Sequence, residues 1–68
     1  MLSDLWENTQ EVNLSKNFLS SIDVLNQFRN LRFLIASENY IVEVSLNLPR
    51  LEKLDLKKNF IVKFPILH

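Results

Sequence analysis

Side chains able to do covalent or acid–base chemistry are sparse in this 68-residue chain. The one histidine, His68, is the last residue, and cysteine is absent. A catalytic triad, a thiolate metal site and a disulfide framework therefore all lack their parts. Glu52 and Asp55 stand three apart and read as solvated carboxylates, not as an acid–base pair. Glycine is also absent, which removes the phosphate-cradling loops that need close backbone approach. The expectation is a non-catalytic chain with no cofactor, no metal and no small-molecule substrate.

What remains is amide chemistry. The chain carries eight asparagines, and three of them, Asn17, Asn39 and Asn59, recur at steps of 22 and 20 residues. A carboxamide offers both donors and an acceptor, so it can satisfy the backbone of a tight turn that nothing else pairs. With no glycine available, turn positions that need positive φ are expected to fall on asparagine, the usual second choice.

The elements that would position these amides follow from the residues around them. The lines from Thr9 to Ile22, Leu31 to Val44 and Leu51 to Phe64 share one pattern. It reads apolar-x-x-apolar-x-apolar-x-x-Asn-x-apolar-x-x-apolar, broken only by Thr9 at the first position and by Ala36 where leucine is usual. The pairs Val12/Leu14, Leu34/Ala36 and Leu54/Leu56 have period 2, which turns one face of a short strand inward. After each turn Leu19/Ile22, Ile41/Val44 and Ile61/Phe64 close the core from the far side, with the asparagines stacked as a ladder between. Ile22, Leu25, Phe28 and Leu31 then recur every third residue, which suits a 3₁₀ or loosely helical return segment on the convex side. An amphipathic helical hairpin would explain the leucine spacing too, but not an asparagine in one place three times.

These lines resemble the leucine-rich repeat family, and the 22-residue step and the Ile-x-x-Leu-x-x-Phe-x-x-Leu return are similar to its short intracellular subclass, which includes a phosphatase regulatory subunit and an axonemal dynein light chain. Leu51 to Asn59 is the nearest match, and the resemblance covers residues 9 to 68. It implies an α/β leucine-rich-repeat solenoid of about three repeats, with short parallel strands on the concave face and 3₁₀ or loop returns. It also implies a protein-binding or scaffolding role in a cytoplasmic setting, cytoskeletal or ciliary by analogy.

The organisation expected is an N-terminal cap over residues 1–8 and repeats at 9–30, 31–50 and 51–68. In the cap Leu2, Leu5 and Trp6 would share a helical face, with Ser3 or Asp4 as N-cap. At the other end the chain runs only Pro65-Ile66-Leu67-His68 past Phe64. This reads as lacking a C-terminal cap, leaving Leu54, Leu56, Ile61 and Phe64 open beside an unpaired strand edge. A fragment of a longer protein, or a chain that needs a neighbour, is the expectation.

Two surfaces stand out. Stacking the lines gives concave columns Glu11/Phe33/Lys53, Asn13/Ile35/Asp55 and Ser15/Ser37/Lys57. Phe33 and Ile35 would form an apolar centre in a polar surround, which with Lys53, Asp55 and Lys57 makes the candidate partner-binding site. The residue after each ladder asparagine is aromatic, Phe18, Tyr40 and Phe60, a lateral column that could pack on itself or dock a partner.

Net charge is zero, which removes the electrostatic argument for nucleic acid or an anionic membrane. The charge is nevertheless polarised. Residues 1–48 hold six acids and three bases, whereas residues 49–68 hold five bases and two acids, −3 against +3. Lys53, Lys57 and Lys58 make a basic end suited to an acidic protein segment. No apolar run approaches a membrane span, and Met1-Leu2-Ser3-Asp4 is not a secretory signal, so the Asn13-Leu14-Ser15 glycosylation triplet is read as inert. A protein partner through the concave face is the leading expectation. Structural packing into a larger assembly through the open end and the aromatic column is the alternative, with self-association at the C-terminal edge included.

Overall fold

The computed structural model describes residues 2–62 and 66–67, with side chains over residues 4–62. A helix, α1 (Leu2–Asn8), leads into strand β1 (Glu11–Asn13), and a 3₁₀ turn at Asp23–Gln27 returns the chain to β2 (Phe33–Ile35). Strand β3 (Ser45–Leu46) forms the second return, followed by β4 (Lys53–Asp55) and β5 (Ile66–Leu67). Strands β1, β2 and β4 make one parallel sheet in that order, and β3 pairs with β5 in a second.

The register is the one the repeated pattern dictates. Glu11, Phe33 and Lys53 are level, as are Val12, Leu34 and Leu54, and Asn13, Ile35 and Asp55. Parallel pairing requires a crossover between strands, and here each crossover is a return segment across the back of the repeat. Strands β2 and β4 are each entered from a one-bond turn: Leu31 N donates to Phe28 O, and Leu51 N to Leu48 O, both at 3.0 Å. Pro49 sits second in the latter turn, where its fixed φ is pre-set.

Burial is concentrated in the middle. Ile22, Leu25, Leu31, Leu34, Ala36, Ile41, Val44, Leu46 and Leu48 form the core, while Val12, Leu14, Leu19, Leu54, Leu56 and Ile61 of the outer lines are partly buried against it. Ala36 is completely covered, so the small side chain fits where the flanking lines converge. Removing one of the fully buried leucines or isoleucines from water is worth roughly 1.5–3 kcal/mol.

The asparagine ladder carries the turns. Asn39 is 2% exposed. Its Oδ1 accepts from Asn17 N and Leu19 N, both at 3.1 Å, and its Nδ2 lies within bonding distance of Leu14 O, Ala36 O and Ser37 O. Asn59 repeats the arrangement, accepting from Ile41 N and donating to Ala36 O, Leu56 O and Lys57 O. Asn17 donates to Leu14 O and Ser15 O of its own turn.

Several expectations need correction. Positive φ falls on Lys16 (59°), Glu38 (57°) and Lys58 (58°), not on asparagine. Each directly precedes a ladder asparagine, whose own side chain is committed to the turn. An unbranched side chain pointing to solvent is the next least costly occupant of the left-handed region. The second return is extended at β3 where the first is 3₁₀. Helix α1 begins at Leu2, so Ser3 and Asp4 lie within it and neither precedes it as N-cap. Leu5 and Trp6 stay largely exposed, 53% and 36%. The helix ends where Thr9 donates to Leu5 O through both its backbone N–H and its Oγ1. Phe64, Pro65 and His68 lie outside the described residues, as do the side chains of Leu2 and Ser3.

Candidate binding face

The concave face is built by the outward residues of β1, β2 and β4. The sheet brings Glu11/Phe33/Lys53 and Asn13/Ile35/Asp55 together in the register stated above, and the bonds from Lys16 N to Ser37 O and from Glu38 N to Lys57 O continue it to Ser15/Ser37/Lys57. In the third column Ser37 Oγ donates to Ser15 Oγ at 3.0 Å. Asn13 and Asp55 end the outer strands alike: each side-chain Oδ1 accepts the N–H two residues on, from Ser15 and Lys57, both at 3.0 Å. This is a short Asx-type turn that bends the chain out of the strand. Asp55 is accordingly half-buried and engaged, not a free solvated carboxylate.

Phe33 and Ile35 are both half-buried, not fully exposed. Phe33 is covered on one side by Arg32, whose guanidinium carbon lies 5.0 Å from the ring centroid, a cation–π contact. Arg32 Nε also donates to Glu52 Oε2 in an ion pair that crosses from the second repeat to the third. That hydrogen bond, then the charge of Arg32, holds the Glu52 carboxyl below its ordinary range, and Glu52 in turn raises the Arg32 guanidinium. Glu52 is thus exposed but paired.

An open cavity of about 390 Å³ lies beside these residues, lined by Glu11, Val12, Asn13, Phe33 and Ile35. It offers an apolar floor with a carboxylate and a carboxamide at its rim, room for one side chain of a partner. Lys53 on β4 and Lys57 in the turn after it are exposed, and Lys58 next to Lys57 has the left-handed backbone.

The lateral aromatics stack. Phe18 and Tyr40 have ring centroids 5.9 Å apart at 12°, and Tyr40 and Phe60 5.7 Å apart at 7°. The separations exceed the roughly 4.8 Å between strands, so nearly parallel rings must be offset, the arrangement aromatic quadrupoles favour. Stacking leaves the outer faces open: Phe18 is 85% and Phe60 60% exposed.

Three polar residues outside the repeated pattern also tie the repeats together. Asp23 Oδ1 accepts from Ser45 N at 3.1 Å. Asn26 accepts from Asn47 N and donates to Ser45 O, joining the 3₁₀ return to β3. Asn30 Nδ2 donates to Glu7 O at 2.6 Å and fastens α1. Asp23 and Asn26 do not recur at the repeat steps of 22 and 20, and Asn30 has Asn8 one step before it but outside the repeated pattern, so the pattern gives no signal for them. Among the described residues no three His, Cys, Asp or Glu side chains converge as metal ligands. No described helix is long and apolar enough to cross a membrane.

No family model matches the chain, and no solved structure matches it. Chaoptin of Drosophila melanogaster is 41% identical to it over 56 residues, an alignment covering 72% of this chain. The match spans only 4% of the length of Chaoptin, a leucine-rich repeat protein. Three level parallel strands joined by 3₁₀ and extended returns, together with this partial likeness, are consistent with a few leucine-rich repeats; the similarity extends to that family and to no finer subclass.

Proposed function

We propose that the chain is a protein–protein interaction module that takes a partner segment on its concave face. The observation that carries this reading is the half-buried pair Phe33 and Ile35 on the central strand, beside an open cavity and between polar outer strands. An apolar centre with a polar rim is the composition of an interface hot spot. Similarity to a leucine-rich repeat protein favours a non-catalytic module with protein partners, by analogy of fold. In this reading α1 acts as the N-terminal cap, and residues 9–30, 31–50 and 51–68 are the repeats. The short intracellular subclass and a cytoplasmic setting are proposed from the 22-residue step and the Ile22-to-Leu31 return pattern.

A displayed peptide library panned against the full chain tests the proposal. Selected peptides should bind the wild type and lose binding to Phe33→Ala and Ile35→Ala, while Phe18→Ala binds as before. Peptides that ignore both concave substitutions would refute the site. Loss of circular dichroism in both variants would instead make the pair core.

A second reading, a structural subunit packed through its lateral side, is supported by the outward exposure of Phe18 and Phe60. Under it Phe60→Asp blocks assembly and the concave substitutions do not.

A further inference from the structure

Granted the concave-face reading, on which this step rests, we propose that the partner side chain taken up by the cavity is a lysine or an arginine. Its aliphatic stem lies on Phe33 and Ile35, and its cationic head meets the Glu11 carboxylate.

The cavity holds about 390 Å³ and is lined by Glu11, Val12, Asn13, Phe33 and Ile35. It is formed by β1 and the central strand β2 together, so a pairing within the sheet shapes it and an outer edge does not. Glu11 is level with Phe33, and Asn13 with Ile35. Each apolar residue of the floor thus has a polar neighbour one strand away, roughly 4.8 Å across. An apolar floor with an acceptor at its rim suits a side chain of the same two-part make-up. Lysine and arginine have it, a methylene stem that buries along apolar surface and a cation that stays at the water boundary.

Charge supports the same occupant. Among the described residues Glu11 is the only charged group that lines the cavity, and its carboxylate has no hydrogen-bond or ion-pair partner. Arg32 stands nearby, but its guanidinium is committed to Glu52 and to the Phe33 ring. It is raised by the hydrogen bond and then the charge of Glu52, and last by Glu11. The Glu11 carboxylate is therefore left for a ligand. Asn13 completes the rim. Its Oδ1 accepts from Ser15 N, which fixes the carboxamide and leaves Nδ2 to donate to a carbonyl of the segment.

The far strand limits the rest of the segment. Lys53, Asp55 and Lys57 belong to the third-repeat side of the face, two cations against one carboxylate, and the Asp55 carboxylate also accepts from Lys57 N. A run of basic residues would meet those lysines. The segment accordingly carries a single basic residue at the cavity, with neutral or acidic residues beyond it.

The experiment pans the displayed peptide library against the full chain and sorts the binders by their loss of binding to Phe33→Ala and Ile35→Ala. The sensitive peptides should share one lysine or arginine. Each is then resynthesised with norleucine at that position, which keeps a stem and removes the cation. Affinity for the wild type should fall roughly two- to fivefold, the range of an exposed ion pair, and the lost part should be the part that added salt screens. Against Glu11→Gln, an exposed position whose folding circular dichroism checks, the same exchange should cost nothing. Peptides that need Phe33 and Ile35 yet share no basic residue, or are acidic throughout, overturn the inference and leave the concave-face reading standing. So does a norleucine exchange that costs as much with Glu11→Gln as with the wild type. A library in which no peptide depends on Phe33 or Ile35 overturns both.

Discussion

The side-chain amide of Asn39 donates to the carbonyl of Leu14 at 3.0 Å, across 25 positions of sequence. The same side chain accepts from Leu19 N, so one buried carboxamide holds both ends of the first turn against the second. Its own turn is held by Ala36 O and Ser37 O. Without it, buried and part-buried backbone groups in two repeats would lose their partners together.

Asn39→Ala is therefore expected to be far more damaging than its size suggests. A buried polar group left without a partner costs about 1–3 kcal/mol, and several are orphaned here. A core this small supplies stability of only about 3–5 kcal/mol. The variant should be largely unfolded at 25 °C by far-ultraviolet circular dichroism. Asn17→Ala, at an exposed site with contacts in its own turn, should lose about 1 kcal/mol or less and remain folded. Equal losses would mean that the ladder is not the main restraint.

Glu38 has a left-handed backbone at φ 57°, and its side chain is exposed. Glu38→Asn should raise the melting midpoint by relieving part of the 1–2 kcal/mol that this region costs an ordinary L-residue, a gain of about 0.5–1 kcal/mol. Glu38→Val should lower it, because a β-branched side chain fits the region worst. A thermal melt of the three proteins decides it, and a stabilising valine would contradict the assigned turn.

The Arg32–Glu52 pair predicts a pH dependence with a definite sign. Glu52 titrates below its ordinary value in the folded chain. Its contribution is therefore present above the ordinary carboxylate range and is lost as pH falls through the lower, folded value. Both partners are exposed, so the effect should be small and salt-sensitive. Melting of the wild type and of Glu52→Gln should differ at pH 7 and converge toward pH 3. A gap that widens in acid would reverse the assignment.

Tyr40 belongs to two stacked pairs and Phe18 to one. At about 0.5–1.5 kcal/mol for each pair beyond area burial, Tyr40→Ala should cost more than Phe18→Ala, and should abolish most of the near-ultraviolet dichroism from the column. Similar losses in the two variants would show that the rings act singly.

Legibility in the sequence followed repetition. The level columns Glu11/Phe33/Lys53 and Asn13/Ile35/Asp55, the ladder asparagines and the aromatic column all recur at one step, and all are found in register. A return segment was legible from the period of three in Ile22, Leu25, Phe28 and Leu31, which allowed a 3₁₀ or a loosely helical form, and the structure has the 3₁₀ turn. What occurs once was not legible. Asp23 and Asn26 hold the return side, but their acceptor and donor groups are backbone atoms of Ser45 and Asn47, which carry no sequence signal. The extended form of β3 depends on pairing with residues 66–67, a distant partner that no local pattern announces. Positive φ went to Lys16, Glu38 and Lys58 because the asparagine next to each was already used by its side-chain contacts. On the candidate face, the neighbours of Phe33 and Ile35 were legible. The position of Arg32 over the Phe33 ring was not, since it is a choice of rotamer.

Among the described residues complete burial falls mainly on the central line, where Leu31, Leu34, Ala36 and Ile41 are covered from both sides, with Ile22 and Leu46 beside it. Hydrogen exchange should accordingly be graded along the solenoid. Amides around Leu34 and Ile41 open only with global unfolding, while those of β1 and β4 are released by fraying at lower cost. Neither outer repeat can be excised without baring the centre, so the central line depends on both neighbours although each of them can fray.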